Sequence, residues 1–209
     1  DNIDLPAGYS ITWSGQYEYM QRAREHLVMV IPVTIIIITL LLFLSFRSLG
    51  EVLIILGTLP MAIIGGLWLL YLLEYNLSVA VGVGFIALAG VAVEIGVVML
   101  IYLKQALNHK WREVQQAGRK LRQADLESAI VDGALMRVRP IMMTVATIIA
   151  GLLPIMLGGG TGSEVMRRIA APMVGGMLSA TLLTLAVIPA VFFVWQKSKL
   201  DREPSGTDT

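Results

Sequence analysis

Several residue types are scarce or absent in this sequence, and each absence excludes a class of site. The sequence has no cysteine, which excludes disulfide bonds and thiolate metal sites. Its 16 Lys and Arg nearly balance its 15 Asp and Glu, so the charge gives no indication of nucleic acid binding. The two histidines, His26 and His109, are too far apart to indicate a metal site. No G-x-x-x-x-G-K-[ST] loop occurs, so if the chain belongs to a pump we expect its energy source to be a proton gradient rather than ATP.

Apolar residues, in contrast, are abundant. They make up 56% of the 209 residues, and the mean hydropathy is +0.74, which is typical of a membrane protein. A helix that rises 1.5 Å per residue needs about 20 apolar residues to cross the hydrocarbon core of a bilayer. We therefore predict an all-α membrane protein with five transmembrane helices, at residues 27–46, 52–73, 77–103, 140–157 and 169–195.

The distribution of Lys and Arg predicts the orientation of these spans. If residues 1–26 lie outside the cytoplasm, the connection at residues 104–139 and the tail at residues 196–209 lie inside. Together with Arg47 between the first two spans, the inner segments then carry 12 Lys and Arg, and the outer segments carry 4. The excess of positive charge on the inside agrees with the positive-inside rule, and the reversed orientation violates it.

The polar segments show weaker patterns. Residues 9–14 alternate in polarity and predict a short strand, and residues 16–26 predict a helix that leads into the first span. Residues 125–139 predict an amphipathic helix that lies along the cytoplasmic surface. Pro140 is expected in the first turn of the fourth membrane helix, where proline is tolerated. Residues 201–209 are polar and predict disorder.

Glu94 is the only charged residue within the predicted spans. It lies nine residues from the end of its span, which places it roughly 14 Å inside the membrane. A carboxylate at that depth costs several kcal/mol unless it is protonated, paired or in contact with water, so it indicates a proton or ion path. Ala87, Gly90 and Val98 share its face, and their small size lets another helix approach closely. The alternative is a carboxylate that only holds helices together through a hydrogen bond.

The last two spans carry further candidates. The hydroxyl of Thr144 can donate a hydrogen bond to a carboxylate on a neighbouring helix, or to its own backbone. Ala171, Gly175 and Ser179 are small residues spaced by four, which predicts close helix packing. Six of the eleven methionines lie in the last third of the chain. Thioethers are soft ligands that suit Cu(I) and Ag(I), although methionine is also common in membrane helices that bind no metal.

Five stretches carry a resemblance to a known family: LPAGYSITWSGQ, YNLSVA, GFIALAGVAVE, RVRP and GSEVMRRIAAPM. From about residue 4 to residue 195, the sequence resembles inner-membrane transporters of the resistance-nodulation-division superfamily. Within that superfamily it is most similar to the heavy-metal-efflux branch and its copper and silver exporters. The R-x-R-P-x-x-M-T run occurs throughout the superfamily. The stretches with Glu94 and with GSEVM are specific to the metal branch.

The resemblance implies a fold of twelve transmembrane helices, of which this chain supplies the last five. Residues 1–26 then form the end of a periplasmic domain, and the chain is expected to be part of a longer protein, since it begins without Met. The family works as a homotrimer in the bacterial inner membrane, with a periplasmic adaptor protein and an outer-membrane channel. It is a secondary active transporter driven by inward proton flow rather than an enzyme. No permanently bound cofactor is implied, and the cargo is Cu(I) or Ag(I).

The resemblance also implies roles for single residues. Glu94 matches the carboxylate of the proton relay, with Thr144 expected beside it, and Met166 matches a methionine of the metal path. Ile141 stands where copper and silver exporters usually carry a Lys that joins the relay. Two alternatives stay open: an exporter of divalent zinc, cobalt or cadmium or of a small organic molecule, and a structural or translocation-assisting membrane subunit.

Overall fold

The computed structural model describes residues 15–119, 121–160 and 162–200. The residues described are almost entirely helical, and no strand occurs among them. The predicted strand at residues 9–14 and the predicted disordered tail at residues 201–209 lie outside the described residues. The chain divides into two units, Asp1–Arg47 and Ser48–Thr209, which are considered separately.

The described part of the first unit is one long helix, α1, at Gln16–Phe46. The predicted helix at residues 16–26 is confirmed, and it continues into the first apolar span without a break. The helix ends where Arg47 adopts the left-handed conformation, with φ 53°, and donates its backbone N–H to the carbonyl of Phe43 at 2.7 Å.

The second unit contains the helices α2 at Leu49–Leu56, α3 at Thr58–Leu72, α4 at Val79–Gln116, α5 at Gln123–Leu157 and α6 at Ser163–Leu200. Among the described residues, five helical stretches are long and apolar enough to cross a membrane, one for each predicted span. The second stretch is interrupted at Gly57, between α2 and α3. Pro60 has no N–H to donate to the carbonyl of Leu56, so the helical hydrogen-bond ladder is incomplete at this point.

The helix α6 packs closely against α3, as its small residues predict. A Cβ added to Gly175 would lie 2.6 Å from the carbonyl oxygen of Gly65, and one added to Gly176 would lie 2.8 Å from the carbonyl oxygen of Ala62. Ala171 is fully buried. Glycine backbones are therefore required here, because any side chain would push the two helices apart.

The connection between the third and fourth spans differs from the prediction. Residues 104–139 are not an extended loop with a separate surface helix, because α4 continues to Gln116 and α5 already begins at Gln123. Pro140 consequently lies inside α5 rather than in the first turn of a helix. The two helix ends form an antiparallel pair, which we call the hairpin, with its tip at residues 117–122.

Side-chain burial explains why the hairpin forms. Leu126 and Ile130 on α5 are buried, as are Leu107 and Val114 on α4. A Cβ added to Gly133 would lie 2.9 Å from the Cβ of Ala106, so the two helices are in close contact. The apolar face of residues 125–139 is therefore packed inside the second unit, with Gly133 against α4 and Ile130 beside Pro189 and Phe193 of α6.

Candidate functional site

Glu94 lies near the middle of the apolar part of α4, on the exposed side of that helix. The exposed neighbours Ile86, Gly90 and Ile101 lie on the same side. Its carboxylate makes no hydrogen bond or ion pair with any residue that the structure describes. The opposite side of α4, which includes Leu88, is packed against other helices of the second unit. A carboxylate in this position is free to exchange a proton with a group or a water that reaches the open face.

Thr144 is exposed on α5, and its Oγ1 donates a hydrogen bond to the carbonyl oxygen of Pro140 at 3.1 Å. Thr147 does the same toward the carbonyl oxygen of Met143 at 2.8 Å. In this structure the hydroxyl proton of Thr144 is therefore used by its own helix, one of the two alternatives that the sequence leaves open. Its oxygen can still accept a hydrogen bond. No hydrogen bond joins Thr144 to Glu94 within the described residues.

Met166 lies in the first turn of α6 and is 57% exposed. The next residue, Arg167, donates a hydrogen bond from its guanidinium to the carbonyl oxygen of Gly158 and so links α6 to the glycine-rich connection before it. An exposed thioether at this point is accessible to a soft metal ion. Among the described residues, no group of three or more His, Asp or Glu side chains is arranged to hold a metal ion.

Ile141 is buried, with 3% exposure, whereas Glu94 on α4 is exposed. The position for which the family resemblance implies a Lys therefore lies in the packed interior of the second unit. A lysine there would need its long stem to bring its ammonium out to Glu94.

The sequence analysis did not predict a largely buried ion pair that joins two helices of the second unit. The Nζ of Lys104 on α4 lies 2.8 Å from Oε2 of Glu51 on α2, and Glu51 is only 4% exposed. Both residues adjoin the ends of predicted spans, where charges are common. The sequence held one signal that Glu51 has a structural role. Glu51 follows the N-cap residue Ser48 by three positions, which is the place of the glutamate in a capping box. In the structure the Glu51 side chain pairs with Lys104.

The hairpin holds its own charged contacts. Arg119 and Asp125 form two hydrogen bonds, of 2.7 and 3.0 Å, and Asp125 also accepts a bond from the backbone N–H of Arg122 at 3.1 Å. The Arg119 guanidinium lowers the pKa of the Asp125 carboxyl below its ordinary value, and the backbone N–H of Arg122 adds to this effect. These bonds close the tip of the hairpin at the start of α5.

Comparison with known proteins identifies the family. The model of the AcrB/AcrD/AcrF family matches residues 1–196. The chain belongs to this family. A relative with 50% identity over 198 residues is the cation efflux system protein CusA of Escherichia coli strain K12, and the match covers 92% of this chain and 18% of that protein. The putative cation efflux system protein SilA of Salmonella typhimurium is also 50% identical, over 198 residues, with 93% and 18% coverage.

Other relatives match the chain at lower identity. The cobalt-zinc-cadmium resistance protein CzcA of Cupriavidus metallidurans is 36% identical over 201 residues, covering 96% of this chain and 18% of that protein. The crystal structure of a heavy metal efflux pump matches with a TM-score of 0.74 and 35% identity, covering 93% of this chain and 18% of that chain. The resemblance to heavy-metal-efflux transporters inferred from the sequence is thus confirmed. This chain spans less than a fifth of the length of these relatives.

Proposed function

We propose that this chain forms part of a proton-driven pump in the bacterial inner membrane that exports Cu(I) or Ag(I). The observation that supports it most directly is the carboxylate of Glu94, which is exposed within the apolar, membrane-spanning stretch of α4. The chain that carries it is 50% identical to cation efflux proteins. A carboxylate that has no partner on the exposed face of its helix can bind a proton and become neutral in the hydrocarbon layer. It can release the proton where water or a cation reaches it. Thr144, with a hydroxyl oxygen that can still accept a hydrogen bond, is the proposed neighbour in that relay.

The choice of metal rests on ligand softness. Met166 offers an exposed thioether, and the described residues offer no cluster of the harder carboxylate and imidazole ligands that divalent ions favour. The stretches that resemble copper and silver exporters support the same assignment. Export of a divalent ion is the second candidate, because CzcA, a cobalt-zinc-cadmium resistance protein, is 36% identical over nearly the whole chain.

The proposed assembly follows from the family. We propose a homotrimer in contact with a periplasmic adaptor and an outer-membrane channel, with residues 1–26 periplasmic and the hairpin and C-terminus cytoplasmic. The split of 12 against 4 Lys and Arg supports this orientation. Labelling of a Gln115→Cys variant in whole cells by a membrane-impermeant reagent would contradict it.

The test of the proton role is Glu94→Gln in the full-length pump, reconstituted in liposomes with a proton gradient. Glutamine keeps the shape and most hydrogen bonds but cannot ionise, so we expect normal trimer assembly and loss of metal flux by at least about tenfold. Glu127→Gln removes an exposed carboxylate of α5 outside the apolar stretch and should leave the flux unchanged. Flux retained in Glu94→Gln would overturn the proposal.

The test of the metal assignment is Met166→Leu, which keeps the volume of the side chain and removes the sulfur ligand. We expect loss of cellular resistance to silver and copper ions. Met143→Leu is the matched control, because Met143 is exposed to 61%, nearly as much as Met166. Equal resistance in both variants and the wild type would show that Met166 only packs, and would favour the divalent candidate.

A further inference from the structure

A cavity between α6 and the junction of α2 with α3 is not used by the proposed transport function. Its volume is about 270 Å³, and none of the described residues that line it is charged. Gly57, the residue between α2 and α3, lies on one wall, and residues of α6 between Ala180 and Val191 form the other. The cavity therefore extends along about 16 Å of α6.

Contacts between α6 and the helices α2 and α3 bound the cavity at both ends. Toward the start of α6, Oγ of Ser179 lies 3.3 Å from the carbonyl oxygen of Met61. Toward the end of α6, the ring of Trp195 packs against Gly50, since a Cβ added to Gly50 would lie 2.9 Å from that ring. The space is thus a bounded site rather than a furrow that continues along the whole of α6.

The cavity lies near the membrane depth of Glu94. A Cβ added to Gly96 of α4 would lie 3.4 Å from Cγ2 of Thr58, which lines the cavity, and Gly96 is two residues from Glu94. Leu53 and Val191, also on the walls, are exposed to 68% and 43%. A molecule that enters here comes through the hydrocarbon layer, so it has to be uncharged and largely apolar.

One polar group on the cavity wall lacks a partner. Thr184 is 2% exposed, and its Oγ1 is buried without a hydrogen bond to any described residue. Every other threonine that the structure describes donates its hydroxyl to a carbonyl three or four residues earlier, namely Thr34, Thr39, Thr58, Thr144, Thr147 and Thr181. Burial of an unpaired hydroxyl is costly, so a ligand that supplies the missing hydrogen bond is favoured.

Water fits this cavity poorly. A buried water typically makes about three hydrogen bonds, whereas apolar cavities of about 150 Å³ stay dry and bind molecules such as benzene. Thr184 and Thr58 are the only hydroxyl residues among the described residues on the walls, and Thr58 already donates its proton to the carbonyl oxygen of Ile55 at 2.7 Å. The site therefore favours an organic molecule, and its volume leaves room for one larger than benzene.

We propose that this cavity binds a small uncharged alcohol with an apolar body, such as an alkylphenol. The apolar walls accept the ring and its alkyl groups, and the hydroxyl of Thr184 can donate a hydrogen bond to the ligand hydroxyl or accept one from it. The volume is below the roughly 300–1,000 Å³ of drug-sized sites, which limits the ligand to one ring with short substituents. The inference depends neither on the exported metal nor on the role of Glu94.

Equilibrium dialysis of thymol and p-cymene against the full-length protein in lipid nanodiscs, with empty nanodiscs as the background, tests the proposal. The two molecules share one carbon skeleton, and only thymol carries a hydroxyl. The wild type should bind thymol about fivefold more tightly than p-cymene, because only thymol completes the hydrogen bond of Thr184. Thr184→Val keeps the shape of the side chain and should lower the affinity for thymol to that for p-cymene, whereas Thr184→Ser should keep the preference.

The matched control is Thr181→Val. Thr181 lies one turn earlier on α6 and is 3% exposed, but it does not line the cavity, and its hydroxyl bonds to the carbonyl oxygen of Met177 at 2.7 Å. This variant should keep the preference for thymol. Equal affinities of the wild type for the two molecules, or no binding above that of empty nanodiscs, would overturn the proposal. So would a preference that persists in Thr184→Val, or one that is lost equally in Thr181→Val.

Discussion

Glu51 and Lys104 form an ion pair that joins the start of α2 to α4 across 53 positions of sequence, with 2.8 Å between carboxylate oxygen and ammonium nitrogen. The two partners are not equally buried. Glu51 is 4% exposed, whereas the side chain of Lys104 is 34% exposed. The pair holds α2 against α4 just beyond the apolar stretch that carries Glu94.

This asymmetry predicts that removal of the lysine is the more harmful change. Lys104→Met leaves the Glu51 carboxylate buried without its cation and should lower the free energy of unfolding by about 3 kcal/mol. Glu51→Gln should cost about 1 kcal/mol or less, because Lys104 can extend its ammonium to water. Thermal unfolding of the purified full-length protein measures both. The double variant should recover part of the loss, and equal losses in the two single variants would contradict the argument.

Gly84 on α4 predicts a second stability effect. A Cβ at this position would overlap the carbonyl oxygen of Ile169 and lie 2.5 Å from Cγ of Pro172, both on α6. Gly84→Ala should therefore separate α4 from α6 and destabilise the protein by about 1–3 kcal/mol. Gly82, two residues earlier on the same helix, has no atom within 4 Å of an added Cβ. Gly82→Ala should be neutral or slightly stabilising, because alanine has the higher helix propensity. A similar loss in both variants would contradict the packing argument.

The tip of the hairpin should be sensitive to acid. Asp125 lies outside the membrane part of α5, and its pKa is lowered in the folded protein by Arg119 and by the backbone of Arg122. A lowered folded-state pKa stabilises the fold at pH values above the ordinary Asp pKa of about 3.9, and this stabilisation is lost as the pH falls through the folded-state value. Protection against amide hydrogen exchange at residues 119–126, measured relative to the intrinsic rate at each pH, should therefore fall selectively below about pH 4. In Asp125→Asn, protection should be low and should show no such step, while Glu127→Gln should keep it.

Much of the fold could be predicted from the sequence because long uncharged runs have few structures available in a membrane. The hairpin could not be predicted in this way. Residues 104–139 carry many polar side chains, which predict a loop followed by a surface helix at residues 125–139. That helix is confirmed, but the extension of α4 to Gln116 and the pairing of the two helices depend on contacts between distant segments, such as Ala106 with Gly133.

The residues of the candidate site likewise divide into those that the sequence could predict and those that it could not. Glu94 could be recognised because a carboxylate within an apolar run is rare and costly. Glu51 and Lys104 could not, because each stands at the edge of a span, where charges are frequent, and the partner lies on another helix.

The buried position of Ile141 leads to a last prediction about the relay. Ile141→Lys introduces the cation that the family resemblance implies for this position, at a site that is 3% exposed. An unpaired ammonium there should cost about 3–5 kcal/mol. Glu94 is the only carboxylate within the predicted spans, and a lysine stem can carry its ammonium several Å away from a buried Cα, as an ion pair with Glu94 would require.

We therefore expect the two positions to be coupled. Ile141→Lys should destabilise the Glu94→Gln protein by about 1–3 kcal/mol more than it destabilises the protein with Glu94 present, because only the carboxylate can pair with the new charge. A double-mutant cycle on thermal unfolding measures this difference. Ile130→Lys is the matched control, since Ile130 is 4% exposed but lies in the hairpin, and its effect should not depend on Glu94. Additive effects of Ile141→Lys and Glu94→Gln would show that a cation at this position cannot reach Glu94, so that any cation of the relay must come from another helix.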